Sequence, residues 1–248
     1  MMDNIIWGQY INSDSMIHRL DPRTKLLSVL AFTICCLTLQ TFSGYVAATV
    51  LVGGPLLLSR VSIRMFFRGL QPILFILSFT FVYHLLVRPE GIESGAFVVW
   101  RILLLVSLAS VLTLTTKPLD LAKGLEQLFK PLSRFGVPVE AFALMLMIAI
   151  RFIPTITQEL DRILLAQKAR GYDIKSAKVH RQVFAYMLLV VPLLITTIQR
   201  AEQLAMAIDA RGYGNGKGRT SFRVLKFSRM DYAAGGFMLA FILLILYL

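Results

Sequence analysis

The sequence carries Ala169-Arg170-Gly171-Tyr172 and repeats it as Ala210-Arg211-Gly212-Tyr213. An arginine followed by glycine at the close of a helical segment is equipped for recognition rather than for bond-making. Arg presents a planar fork of donors suited to a partner's carboxylates, and its charge suits the negative end of a helix dipole. Gly accepts the left-handed backbone that ends a helix, and Ala leaves the approach clear. The surroundings of the two copies correspond as well. At a constant offset of 41 residues, Thr155 falls on Thr196, Gln158 on Gln199, Asp161 on Glu202 and Ala166 on Ala207. Similar composition of two helices ending in Arg-Gly explains neither the shared Tyr nor the matched polar positions. A basic tip displayed twice reads as a docking device.

Residues that would perform catalysis are sparse. Gly212-Tyr213-Gly214-Asn215-Gly216-Lys217-Gly218-Arg219-Thr220 has the look of a phosphate-binding loop but fails its spacing. The position five residues before Gly216 is Arg211, and Gly218, not Ser or Thr, follows Lys217. A flexible linker is the better reading, so any nucleotide hydrolysis belongs to another subunit and the chain calls for no cofactor. The three histidines are dispersed: His18 in a polar run, His84 in an apolar helix, His180 in a basic loop. His84 reads as a hydrogen-bonded interior residue rather than a metal ligand. Cys35 and Cys36 are adjacent, and helical neighbours point about 100° apart, so they form neither a disulfide framework nor a metal site. No carboxylate pair lies within the apolar runs, which argues against a proton relay. Arg151 is the exception among ionisable groups, with snorkelling or carbonyl pairing weighed against a relay role.

Composition supplies the setting. The chain has 248 residues, 56% of them hydrophobic, 16% charged, with a net charge of +12; its mean hydropathy is +0.69. That is an integral membrane protein. The polar N-terminal run shows no cleavable signal peptide, so insertion is expected to rely on internal spans. The charges fall in patches between apolar runs, which favours a membrane explanation of the basic excess over nucleic acid.

Leu26 to Ser59 is uncharged and too long for one span at about 1.5 Å per residue across about 30 Å of hydrocarbon. The Gly44-Tyr45 break and the Gly53-Gly54-Pro55 interruption suggest a hairpin of two short or tilted helices. Leu70–Val87, Phe97–Thr116 and Tyr232–Leu248 read as further spans. Arg19, Arg23, Lys25, the cluster of Arg60, Arg64 and Arg68, and nearly all basic residues from Lys117 to Arg229 fall on one side. The positive-inside rule then places the N-terminus and the region Lys117–Asp231 at the cytoplasmic face, with Arg88 and Arg101 facing outward. Pro118–Lys130 is patterned as an amphipathic helix. Ala141–Ile150 is too short to span alone before Arg151. Two long helices are expected here, starting at membrane depth, kinked at Pro154 and Pro192 and ending in Ala-Arg-Gly; the alternative is that one or both apolar halves are true spans. The expected organisation is residues 1–116 with four transmembrane helices, 117–230 with the cytoplasmic helices and a linker, and 231–248 as a fifth span.

Together with the two Ala-Arg-Gly motifs, Ser15-Met16-Ile17-His18-Arg19-Leu20-Asp21-Pro22-Arg23-Thr24-Lys25 and Arg151-Phe152-Ile153-Pro154 carry a full-length resemblance. The chain resembles the transmembrane T components of energy-coupling factor transporters; Asn12-Ser13-Asp14 departs from the Pro-Gly often found there. The resemblance implies an all-α membrane subunit with about five transmembrane helices and long, crossed cytoplasmic coupling helices, in the bacterial cytoplasmic membrane. It implies two ABC-type ATPase subunits and a membrane substrate-binding S component as partners, for uptake of a vitamin or transition-metal ion. Carried over, Arg170 and Arg211 dock in grooves of the ATPases, and Ala169, Gly171, Ala210 and Gly212 shape the contact. Ala141–Ile150 is part of a face for the S component or, equally, internal packing. The competing readings are the permease of an ordinary ABC importer, a membrane enzyme acting on lipid headgroups, and a self-contained secondary transporter. The first needs polar groups in its own spans, the second clustered acids or a metal site, and the third a coupled ion path.

Overall fold

The computed structural model describes residues 15–59, 62–87, 91–171, 179–213, 225 and 227–247. Asn12-Ser13-Asp14, Arg60, Arg88, Tyr172 and the stretch 214–220 lie outside the described residues, as do the side chains of Arg68 and His180. The described chain is helical: α1 (Pro22–Thr38), α2 (Phe42–Leu58), α3 (Ile63–Val87), α4 (Gly91–Thr115), α5 (Pro118–Phe129), a 3₁₀ segment (Lys130–Phe135), α6 (Val139–Ala169), α7 (Val179–Ala210) and α8 (Arg229–Tyr247). Packing divides these into two compact units, Met1–Phe135 with Arg223–Leu248, and Gly136–Phe222. The boundaries expected from sequence group residues by membrane exposure. Packing groups α5 with the first unit, because it lies against α1.

Among the described residues, three helices are long and apolar enough to cross a membrane: α3 from Gly69, α4 from Ile92, and α6. The all-helical membrane architecture therefore stands. α6 is the long helix expected from Ala141 to the first tip: it continues through Arg151 and Pro154 as a single helix of 31 residues, so the apolar stretch before Arg151 does not stand alone. α1 and α2 form as two short helices, but the chain turns at residues 39–41, Gly53-Gly54-Pro55 stays inside α2, and each helix packs on α4 instead of pairing as a hairpin. Gly44 is in the first turn of α2, where a Cβ would collide with the Leu39 side chain. Glycine there serves a close approach, not a break.

The core of the first unit gathers Phe32, Cys36, Tyr45 and Ala48, all fully buried, with Leu104 and Phe241. Phe32 stacks on Phe241 at 6.0 Å, which brings α1 and α8 together. Arg101 donates from Nε to Tyr45 Oη at 3.0 Å and from Nη2 to the Leu39 carbonyl at 2.7 Å. Leu39 follows the last residue of α1, where carbonyls lack intrahelical partners. The guanidinium closes that end and pins it to α4. Trp100 Nε1 adds a hydrogen bond to Thr49 Oγ1 at 3.0 Å.

The other end of α4 holds a second polar knot. Asp21 caps α1 by accepting from the Arg23 backbone N–H at 2.9 Å, and Pro22 occupies the first turn. The Asp21 N–H donates to Asp231 Oδ1 at 2.8 Å, while Asp231 Oδ2 accepts from the Ser228 N–H at 2.7 Å. Arg23 donates to the Leu225 carbonyl at 3.3 Å and lies over the Phe227 ring. Lys25 Nζ donates to the Thr115 carbonyl and to Thr116 Oγ1, both at 3.0 Å. The Leu20–Lys25 motif thus joins the starts of α1 and α8 to the end of α4.

Burial of Lys25 pulls its pKa down from 10.5 to about 8, against the opposing pull of Asp120, Asp231 and Asp21. A lowered folded value means that the charged ammonium is penalised in the native state. The penalty is complete below about 8 and fades as pH climbs from 8 to 10.5, where the unfolded chain binds the proton more strongly. Stability from this group therefore rises with pH across that window. In detergent, the Tm of the wild type minus that of Lys25→Met should increase between pH 8 and 10. A difference that stays constant would show that the ammonium is not desolvated.

Candidate functional site

The second unit is built on α6 and α7, which pack against each other. Both expected tips stand at helix ends. Ala169 is the last residue of α6 and Ala210 the last of α7; Arg170, Gly171, Arg211 and Gly212 follow, and all six residues are exposed. The helices stop for the same physical reason. Gly171 has φ +86° and Gly212 φ +67°, in the left-handed region. The Gly171 N–H donates to the Lys168 carbonyl at 3.0 Å, and the Gly212 N–H to the Asp209 carbonyl at 2.9 Å. In α7 the Tyr213 N–H also reaches back to the Ile208 carbonyl at 3.2 Å, completing a Schellman closure. Each arginine is thus the final residue before the chain reverses its hand, held by its own N–H on the last turn.

The repeat has a structural counterpart. Glu159 Oε2 lies 3.9 Å from Arg162 Nη1 within α6 and 3.9 Å from Arg200 Nη2 on α7. Glu159 and Arg200 are separated by the same 41 residues that separate the two tips. Equivalent positions meeting each other is what a local two-fold relation produces where its axis passes. From that meeting point each tip lies eleven residues along its own helix, or about 16 Å of helix. The pair itself is partly exposed and contributes little, on the order of 0–1 kcal/mol. Its value here is as a marker of where the helices meet. Of the other matched positions, Thr196 bonds back to the Leu193 carbonyl at 3.0 Å, and Gln158, Gln199, Ala166 and Ala207 are exposed.

The remaining chemistry-bearing residues resolve into structural roles. His84 Nδ1 lies 2.9 Å from the Thr80 carbonyl one turn back, and its Cβ lies 3.0 Å from where a Cβ on Gly95 would stand. It packs α3 on α4. Cys36 is in the core, and both cysteines are free. Arg151 is exposed. Among the described residues no cluster of His, Cys, Asp or Glu could hold a metal ion.

A cavity of about 380 Å³ opens between α1, α2, α4 and α8, lined by Leu51, Leu108, Val111, Phe237 and Met238 with Lys25 at its wall. Its surface is almost wholly apolar, and the Lys25 ammonium is already committed to Thr115 and Thr116. It lacks the convergent polar groups that fix a polar ligand. The residues that sequence reasoning passed over are the tying groups: Asp231, Thr115, Thr116, Tyr45, and Arg101 as the partner of Tyr45 and Leu39. A lysine and an aspartate placed at the starts of apolar helices were the available signal.

Residues 13–222 match the family model of CbiQ, described as cobalt transport protein. The chain is 39% identical over 246 residues to the energy-coupling factor transporter transmembrane protein EcfT of Bacillus subtilis (strain 168), covering 93% of each. It is 40% identical over 247 residues to the EcfT protein of Thermosediminibacter oceani, covering 94% of this chain and 93% of the relative. With the EcfT protein of Lactococcus lactis subsp. cremoris the identity is 35% over 245 residues, at 93% and 92% coverage.

A Cβ added at Gly171 or Gly212 would meet nothing within 4 Å, so in the isolated chain these glycines are required by backbone conformation alone. Gly212→Ala should weaken the last turn of α7 by about 1 kcal/mol, seen as faster amide exchange over residues 208–213. Gly212→Asn should cost less, because Asn tolerates the left-handed region. Equal exchange in the Ala variant would transfer the requirement for glycine from the backbone to a partner's clearance.

Proposed function

Since this chain belongs to the CbiQ family, as a transmembrane T component of energy-coupling factor transporters, we propose that it couples two ATP-hydrolysing subunits to a membrane substrate-binding S component. The chain is a transporter component and not an enzyme; in this reading the energy comes from the partners. The observation that carries the proposal is the pair of exposed arginines, each stopped by a left-handed glycine at the end of a long helix.

Arg170 and Arg211 each enter a groove of one ATPase, where carboxylates accept from the guanidinium fork. Ala169 and Ala210 let the groove walls close on the helix ends, and Gly171 and Gly212 turn the chain away immediately afterwards. ATP binding draws the two ATPases together and the tips follow. A continuous helix carries that displacement along its length. Toward their apolar halves α6 exposes Phe142 and Met145, and α7 exposes Met187, Val190 and Leu194. These form the face that meets the S component, and methionine suits a surface that must fit more than one shape.

The membrane is that of a bacterial cell, with the N-terminus and both tips on the cytoplasmic side, a placement supported by the basic excess under the positive-inside rule. The cargo is a vitamin or a transition-metal ion, recognised by the S component. An importer permease that binds its own substrate needs polar groups in its spans, and the apolar cavity of the first unit supplies few.

Arg170→Ala or Arg211→Ala should weaken ATPase association by about 2–5 kcal/mol each, the usual cost of truncating one partner of a buried charge pair. The double variant should lose uptake while the chain still inserts and remains helical. Co-purification of the ATPases from membranes, together with substrate uptake, checks this. Full complex recovery and transport in the double variant would overturn the docking roles.

A further inference from the structure

From Phe129 to Phe135 every residue is exposed. Three are large and apolar, with Phe129 44%, Leu132 42% and Phe135 87% exposed. Two are cationic, Lys130 and Arg134, and the stretch contains no acid. Neither cation forms an ion pair among the described residues. The spacing matters because Lys130–Phe135 is a 3₁₀ helix, in which residues three apart eclipse one another. Phe129, Leu132 and Phe135 therefore share one ridge, with Lys130 on one flank and Arg134 on the other. The Ser133 hydroxyl donates to the Lys130 carbonyl at 2.7 Å, so its polar atom is satisfied internally.

The position of this ridge is set by its neighbours in the first unit. α5 starts at Pro118, directly after α4 ends at Thr115, and α4 is long and apolar enough to cross a bilayer. α5 is then held against the start of α1. A Cβ on Gly124 would stand 3.1 Å from Pro22 Cβ and 3.4 Å from Leu26 Cδ1. A segment tied so closely to the end of a span lies at headgroup depth. There an apolar ridge enters the acyl boundary and flanking cations meet phosphates.

We infer that Phe129–Phe135 is an interfacial anchor: Phe129, Leu132 and Phe135 insert into the bilayer surface, and Lys130 and Arg134 hold the headgroups of anionic phospholipids. The inference rests on α4 crossing the membrane and is independent of the ATPase-docking reading. Charge decides the occupant. An apolar ridge alone would suit any protein groove, but cations on both flanks without an acid match a surface of negative phosphates.

The test uses the full-length chain in nanodiscs of phosphatidylcholine alone and of phosphatidylcholine with phosphatidylglycerol at about a 7:3 ratio, read by amide exchange over residues 129–135. Each surface cation contributes roughly five-fold to binding an anionic leaflet. Exchange should therefore slow by at least about five-fold in the anionic discs, and the slowing should shrink at high salt. Lys130→Gln/Arg134→Gln should abolish the difference, while Lys130→Arg/Arg134→Lys preserves it. Unchanged exchange over Pro22–Thr38 confirms that the variants fold. Equal exchange in the two compositions overturns the proposal. Protection that arises only when the partner subunits are added also overturns it, and assigns the ridge to a protein contact.

Discussion

An ammonium group buried where three helices meet is the constraint around which the first unit is arranged. Lys25 is 8% exposed, and a charge so far from water must find fixed acceptors or lose its proton. The end of α4 provides them, through the Thr115 carbonyl and the Thr116 hydroxyl. Those groups are available because a helix leaves its last carbonyls unpaired. The lysine thus solves a problem for α4 while α4 solves one for the lysine. Three aspartates, Asp21, Asp120 and Asp231, contribute negative potential around it. Asp21 and Asp231 also cap or tie the starts of their own helices. The six residues from Leu20 to Lys25 are consequently a joint, not a binding motif.

Arg101 plays the corresponding part toward the start of α4, closing the end of α1 through the Leu39 carbonyl and Tyr45. One long apolar helix is therefore secured by a cation near each end. Between these polar points the contacts are apolar: Phe32 on Phe241, and Tyr45 against Phe97 at 5.1 Å. In a membrane, such packing holds helices together without help from water exclusion, so a few well-placed hydrogen bonds fix which helices pair and in what register.

The long helices and the twin tips were legible in the sequence because they are local. An apolar run of given length, and glycine after arginine at its end, need no tertiary knowledge to interpret. What misled was also specific. Gly44 looked like a break because glycine often is one, yet here it admits the Leu39 side chain. The hydrogen bonds of Arg101 were hidden for another reason, since charge counting cannot see the exposed carbonyl of a neighbouring helix end. The joint at Leu20–Lys25 was visible only as a resemblance, because its partners Thr115 and Asp231 lie far along the chain. The meeting of Glu159 with Arg200 was equally hidden, although the 41-residue offset already contained it.

That meeting point has a mechanical consequence. Two arms of equal length that touch at equivalent positions form a balanced pair of scissors. A push shared equally by both tips shifts the crossing without turning one helix against the other. Only a change in the separation of the tips alters the angle between the arms. Such a device ignores drift common to its two handles and responds to their spacing, so it would report a pincer movement and stay silent to a sway.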